Sequence, residues 1–211
     1  MKKRVLIGTT NPAKVQRFTA LLAGAEAEIV TPLDLHISGE PEELGRTPEE
    51  NARVKAEFYG KFCERVICND SGLYLEGLSR EDPRQPGLHV RTPRGTRLDD
   101  DEMIAYYSAL AHSLGGRTLA YYLDGVAVGV NGAVCCYMDE EEARETAFYL
   151  VDKPHTRRHP GWPLDSISVS RATGLYFVEE TAARNDPVIR NAYFNRLRAF
   201  LLRALQLESG I

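Results

Sequence analysis

The sequence predicts an α/β fold with a mixed sheet flanked by helices. Three observations predict it. The chain opens as strand, loop, helix, strand. A strongly capped helix then leads into another short apolar run. From Thr118 to Val151 the pattern changes to β-rich segments separated by turn residues.

Each element has a local cause. Arg4 to Ile7 is an apolar run ending in Gly8-Thr9-Thr10-Asn11-Pro12, which predicts a buried strand and a tight turn. Asn11 is placed to cap a helix whose first residue is Pro12, and Val15, Phe18, Leu21 and Leu22 give it an apolar stripe ending near Gly24. Glu28-Ile29-Val30 is a second short strand. Thr47-Pro48-Glu49-Glu50 predicts a helix start with Thr47 as N-cap and Glu50 closing a capping box. Apolar residues from Ala52 to Phe62 carry that helix to about Cys63. Arg65 to Cys68 is a third strand, which runs into Asn69-Asp70-Ser71-Gly72. Residues 78–98 hold three prolines and five arginines and form a long loop. Asp99 to Leu114 is a helix with an acidic first turn, which suits the helix dipole. Asp124-Gly125, Asn131-Gly132 and Asp139–Glu142 punctuate an antiparallel region that ends with a strand over Thr146–Leu150. Two short strands near Ile167 and Leu175–Val178 and an amphipathic helix over Pro187–Gln206 complete the chain.

Composition narrows the function classes. Of 211 residues, 43% are hydrophobic and 27% charged, as in packed globular domains. The formal net charge is −4, against the surplus of Lys and Arg that coating a nucleic-acid polymer requires. A local basic pocket for a small anion is still allowed. No apolar run approaches the roughly 18–20 residues that span a bilayer. Val5-Leu6-Ile7, after the basic Met1-Lys2-Lys3-Arg4, is too short for a signal peptide. The expectation is a cytoplasmic protein without membrane contact. Cys68, Cys135 and Cys136 lie in apolar strand-like runs and read as small buried hydrophobes.

Three constellations carry possible chemistry. Thr9-Thr10-Asn11-Pro12-Ala13-Lys14 joins a strand to a helix and suits a phosphate cradle, though it equally fits a capped helix with a solvated lysine. Glu42-Glu43 precedes a helix bearing Asn51 and Lys55 four residues apart on one face. The glutamates suit a hard cation such as Mg²⁺ and the helix face an anion, while a solvated acidic loop is the plainer reading. Asn69-Asp70-Ser71-Gly72 puts a carboxylate at a strand end, where it can take a proton from water, bind metal, or simply form a turn. His155 and His159 are four apart in a proline-flanked loop without an evident carboxylate partner.

The order and spacing of these blocks resemble the non-canonical purine nucleoside triphosphate pyrophosphatases, the inosine triphosphatase family. The matching blocks are Thr9-Thr10-Asn11-x-x-Lys14, Glu43-Leu44-Gly45-x-Thr47 with Glu50-Asn51-Ala52-x-x-Lys55-Ala56, Asn69-Asp70-Ser71-Gly72-Leu73, and Pro86-Gly87. The resemblance implies an elongated α/β domain over residues 1–211. Its two lobes would flank a central cleft, with the second lobe at roughly 73–165. It also implies a homodimer and Mg²⁺-dependent hydrolysis of nucleoside triphosphates such as ITP, dITP and XTP to monophosphate and pyrophosphate. By position, Asp70 would be the general base and would share Mg²⁺ with Glu43. Thr9, Thr10, Asn11 and Lys14 would cradle phosphates, with Asn51, Lys55 and Ser71 also contacting substrate.

Two departures bear on function. The family pattern has two aspartates before Ser-Gly, and the first is Asn69 here. That predicts weaker Mg²⁺ binding and less repulsion on Asp70. The family's G-F-G-Y-D-P segment is replaced by Gly161-Trp162-Pro163-Leu164-Asp165-Ser166, in which Trp162 is placed to stack on a base and Asp165 is kept. The S-H-R block has no clear equivalent, and Asn191, Asn195 and Arg196 are nearby candidates. A nucleotide-binding sensor that lost efficient catalysis is the rival expectation. A hydrolase of another phosphorylated small molecule, served by Arg91, Arg94, Arg157 and Arg158, is the third.

Overall fold

A computed structural model describes residues 2–93, 95–180 and 192–207. Among them the strands are β1 (Lys3–Ile7), β2 (Ala27–Val30), β3 (Arg65–Leu75), β4 (Arg117–Val130), β5 (Ala133–Tyr137), β6 (Phe148–Val151) and β7 (Ser168–Val169). The helices are α1 (Pro12–Leu21), α2 (Pro48–Tyr59), α3 (Asp100–Ser113), α4 (Glu140–Glu145) and α5 (Ala192–Ala204). The sheet has the order β2-β1-β3-β4-β6-β7, with β5 also paired to β4. β1 is parallel to β2 and β3, whereas the β4–β5, β4–β6 and β6–β7 pairs are antiparallel, so the sheet is mixed.

The described residues divide into two compact units. One holds the chain up to Ser71, Asp124–Glu140 and α5; the other holds Gly72–Leu123 and the chain from Glu141 to Glu180. In the first unit, alternate side chains of β1 serve two cores, as a strand's period of two dictates. Val5 and Ile7 pack with Phe18 and Leu21 of α1, Val126 and Val128 of β4, and Leu197 and Leu201 of α5. Leu6 packs with Val66, Cys68 and the Ala52, Ala56 and Tyr59 face of α2. A strand covered on both faces must read as a continuous apolar run, and Val5-Leu6-Ile7 of β1 do. The second unit has its own core of Leu73, Leu75, Met103, Tyr107, Phe148 and Ile167. Full burial of each such side chain contributes roughly 1.5–3 kcal/mol.

The caps follow the sequence with one exception. The Asn11 side chain accepts from the Ala13 N–H at 2.9 Å, and the Thr47 hydroxyl accepts from Glu50 N–H at 3.2 Å. The Glu50 carboxylate, however, accepts from Arg46 N–H at 2.6 Å, so no reciprocal capping box closes at Thr47. A true box forms instead at α3, between Asp99 and Glu102.

Several expected boundaries move. α2 stops at Tyr59, four residues short of Cys63. β3 does not end at Cys68 but runs through Asn69-Asp70-Ser71-Gly72 to Leu75. Asp124-Gly125 is not a turn but the interior of β4. Asp139–Glu142 opens α4 rather than a turn, and the following strand starts at Phe148. Leu175–Val178 makes only one bridge, Tyr176 to Val169. Cys135 is exposed rather than buried, on a strand whose partner is β4. The Pro187–Asn191 part of the expected last helix, with Arg190, lies outside the described residues.

Gly125 shows why β4 continues where a turn was expected. A Cβ there would stand 2.2 Å from the backbone of Pro48 and Glu49, at the start of α2. The glycine is required by close backbone approach, not by a turn. Gly125→Ala is therefore expected to destabilise the fold by about 2–3 kcal/mol, because neither backbone segment can yield. Urea unfolding of the variant beside the wild type measures this directly.

Candidate active site

Asp70 lies in β3, in the middle of a strand whose successive side chains face opposite ways. Its carboxylate accepts from the Asn51 Nδ2 at 2.8 Å, and Lys55 Nζ stands 3.9 Å from its other oxygen. Asn51 and Lys55 come from one face of α2, one turn apart. The Asn51 side chain is buried and its Oδ1 accepts from Gly45 N–H at 2.8 Å, so both ends of the amide are fixed. Gly45 is required there, since a Cβ would fall 2.5 Å from that Oδ1. Lys55 also pairs with Glu43 at 2.8 Å. The loop, the helix and the strand thus bring Glu43, Asn51, Lys55 and Asp70 together. Glu42, the other member of the acidic pair, is exposed.

Lys14 joins this cluster from the first turn of α1. Its ammonium donates to the Asn69 carbonyl at 3.3 Å. Burial holds its pKa below the ordinary lysine value, and neighbouring Lys55 lowers it further, against the opposing pull of Asp70, Asp124 and Glu43. The other three residues of the expected cradle have local partners. The Thr9 hydroxyl accepts from Asn11 N–H, Thr10 donates to Glu40 at 3.0 Å, and Asn11 caps α1.

The opposite side of β3 faces a group that sequence reasoning missed. Asn69 and Ser71, flanking Asp70, both turn to Asp124 of β4. Ser71 Oγ donates to Asp124 Oδ1 at 2.6 Å and Asn69 Nδ2 lies 3.4 Å from the same oxygen. Arg17 Nη2 of α1 donates to Oδ2 at 2.6 Å, and the Tyr193 hydroxyl of α5 approaches it at 3.3 Å. Burial alone would push the Asp124 carboxyl up. Arg17, Ser71 and Lys14 outweigh it and hold the group below its ordinary value. Burial likewise works against the Arg17 charge, but Asp124 and Tyr193 prevail and raise its pKa. The Asp-Gly dipeptide looked like a turn, so its buried carboxylate carried no signal of this kind.

Trp162 and Asp165 belong to the second unit, where they are three residues apart around a short 3₁₀ turn over Pro163–Ser166. Asp165 is buried and its carboxylate meets His159 Nδ1 at 3.1 Å. Trp162 is 41% exposed, and its ring stacks on His159 with centroids 6.1 Å apart. His155 faces Glu179 instead, at 3.7 Å, so the two histidines do not form a metal pair. Arg91 and Arg158 pair with Asp100 and Asp101 at the start of α3, while Arg94 lies outside the described residues. Of the S-H-R replacements, Asn195 and Arg196 are on α5 and Asn191 is outside the described residues.

Fold and cluster together define a mixed α/β protein whose parallel strands deliver a carboxylate flanked by two lysines and an amide. Within that class, the chain belongs to the Ham1 family, whose model matches residues 5–146. This agrees with the resemblance carried by the four sequence blocks. A dITP/XTP pyrophosphatase of Leptospira interrogans is 35% identical over 102 residues, covering 48% of this chain and 50% of that protein. The dITP/XTP pyrophosphatase of Bacillus subtilis is 34% identical over 103 residues, again 48% and 50%. The chain thus spans about half the length of the curated relatives it matches. A HAM1 protein structure from Coxiella burnetii superposes with a TM-score of 0.72 at 20% identity, covering 97% of this chain and all of that one, and shows the same fold.

Lys14 gives the site a pH signature. Its folded pKa is depressed, so between that value and the ordinary one the unfolded chain binds the extra proton and stability rises with pH. Lys14→Met has no such proton to lose. The stability difference between wild type and Lys14→Met is expected to move in favour of the wild type from neutral pH to about pH 10. Denaturant titrations of both proteins at the two pH values check the sign.

Proposed function

We propose that this chain is a nucleoside triphosphate pyrophosphohydrolase, converting NTP and water to NMP and pyrophosphate, with ITP, dITP and XTP as substrates. The observation that carries the proposal is the Asp70 carboxylate, fixed by Asn51 and Lys55 beside Glu43, with Lys14 adding a second cation. The names of the Leptospira and Bacillus relatives supply the substrate class.

Breaking the bond between the α- and β-phosphates requires an activated water and compensation of phosphate charge. Asp70 is the group to accept the water's proton as its oxygen attacks phosphorus. Asn51 orients that carboxylate by occupying one oxygen. Lys14 and Lys55 stabilise charge on the phosphate oxygens, and the start of α1, with Thr9, Thr10 and Asn11, binds the phosphate tail. The Ser71 hydroxyl is given to Asp124 on the other side of the strand, so the substrate contact expected of it is no part of this proposal.

Mg²⁺ fits the donors present. This ion takes one or two protein carboxylates and completes its shell with phosphate oxygens and water. Glu43 and Asp70 supply two hard oxygen donors beside one lysine, at 2.8 and 3.9 Å from its Nζ. Glu43 and Asp70 would hold the ion, which would neutralise phosphate charge when bound. Assembly as a homodimer is part of the proposal and rests on the family resemblance, while the expectation of no nucleic-acid polymer or membrane partner rests on the net charge of −4 and the short apolar runs of the sequence. Among the described residues, no helix is long and apolar enough to cross a membrane.

Pyrophosphate release from ITP, XTP, dITP, GTP, ATP and dUTP with Mg²⁺ tests the reading. The deaminated purines should turn over, and Asp70→Asn should lower kcat by about 10²–10⁴-fold, the usual contribution of a general base. Undiminished turnover in Asp70→Asn removes Asp70 as the base. Tight nucleotide binding with no turnover in the wild type favours the sensor alternative, which the neutral Asn69 amide motivates. Trp162→Ala is expected to raise KM for ITP about tenfold with kcat little changed, the loss of one stacked base. Steady-state kinetics on the purified variant decides it.

A further inference from the structure

We propose that Asp124 is a positioning residue for the Asn69-Asp70-Ser71 segment, and that its carboxylate is the reason residue 69 is an amide. The inference rests on the reading of Asp70 as the catalytic base. Four donors converge on Asp124: Arg17 at 2.6 Å, Ser71 at 2.6 Å, Tyr193 at 3.3 Å and Asn69 at 3.4 Å. They come from α1, β3 and α5, so one buried carboxylate ties three elements to β4. Two of the donors flank Asp70 in the chain. Asn69 Nδ2 also donates to the Asp70 carbonyl at 3.0 Å and approaches Ser71 Oγ at 3.1 Å. The backbone on both sides of the base is therefore held from the face opposite to its carboxylate.

Asn69 bears out this division of labour. It is buried, its Nδ2 serves three acceptors, and its Oδ1 has no partner. A side chain kept in place by its donor end, with its acceptor end orphaned, is there for the donor. An aspartate at this position would put a second carboxylate about 3.4 Å from Asp124 in place of a donor, and the one proton of the Ser71 hydroxyl beside them is already given to Asp124. The single charge of Arg17, already paired with Asp124 at 2.6 Å, cannot neutralise two carboxylates.

A four-protein cycle tests this: wild type, Asn69→Asp, Asp124→Asn, and the double variant that moves the carboxylate across the pair. Asn69→Asp is expected to lower kcat for ITP about tenfold with KM changed less than about threefold, and the double variant to recover most of that loss. A separate structural role for each residue would instead make the losses multiply. Additive losses, or an Asn69→Asp variant as active as the wild type, overturn the proposal. Should Asp124→Asn leave Arg17 uncompensated and fail to fold, Arg17→Met/Asp124→Asn removes both charges, and Asn69→Asp must then be tolerated in that background. Urea midpoints of the same proteins give a readout independent of turnover. If the wild type releases no pyrophosphate, the functional reading fails while the midpoints still show the coupling or its absence.

Discussion

The Asn51 side chain joins three parts of the chain that are distant in sequence. Its oxygen takes the Gly45 N–H of the acidic loop, and its nitrogen gives a hydrogen bond to Asp70 in β3, while the residue itself sits in the first turns of α2. Because each end of the amide has one partner of the right polarity, the group has one orientation. The loop carrying Glu43, the helix carrying Lys55 and the strand carrying Asp70 then have fixed mutual positions. Gly45 has no side chain because Asn51 fills that space, and Gly125 has none because the start of α2 does. The site thus depends on two places where backbone and neighbour come too close for a methyl group.

Much of this was legible where cause and effect are close in sequence. Asn11 and Thr47 announce helix starts through their own neighbours, and Asn51 and Lys55 announce a shared face through their spacing. The Asp70 segment was recognisable as a polar interruption of an apolar strand, although the strand continues through it. What was hidden depends on distant partners. Asp124-Gly125 has the composition of a turn, and only Arg17, Tyr193 and the backbone of Pro48 make it a buried strand segment. Glu50 has the spacing of a capping box, but the Arg46 N–H, instead of that of Thr47, takes its carboxylate. Cys135 has strand neighbours that suggest burial, yet it lies on the exposed side of β5.

Charge burial is concentrated in the same small region. Lys14, Arg17 and Asp124 each face a desolvation cost, which specific neighbours outweigh at Arg17 and Asp124 and only partly oppose at Lys14. Such an arrangement contributes less to stability than an apolar core of equal volume would. Its persistence beside the Asp70 cluster fits the general trade in which sites are pre-organised at the expense of stability.

β3 places Asp70 on one side and Asn69 and Ser71 on the other, and the chemistry follows that alternation. Odd and even positions of the strand are therefore separate channels for change. Residues facing Asp124 can be exchanged as a compensated set without altering what faces Asn51 and Lys55. A change of length by one residue before Asn69 would have the opposite effect, since it would exchange the two faces at once. Sequence drift in this segment is thus permitted by substitution and barred by insertion.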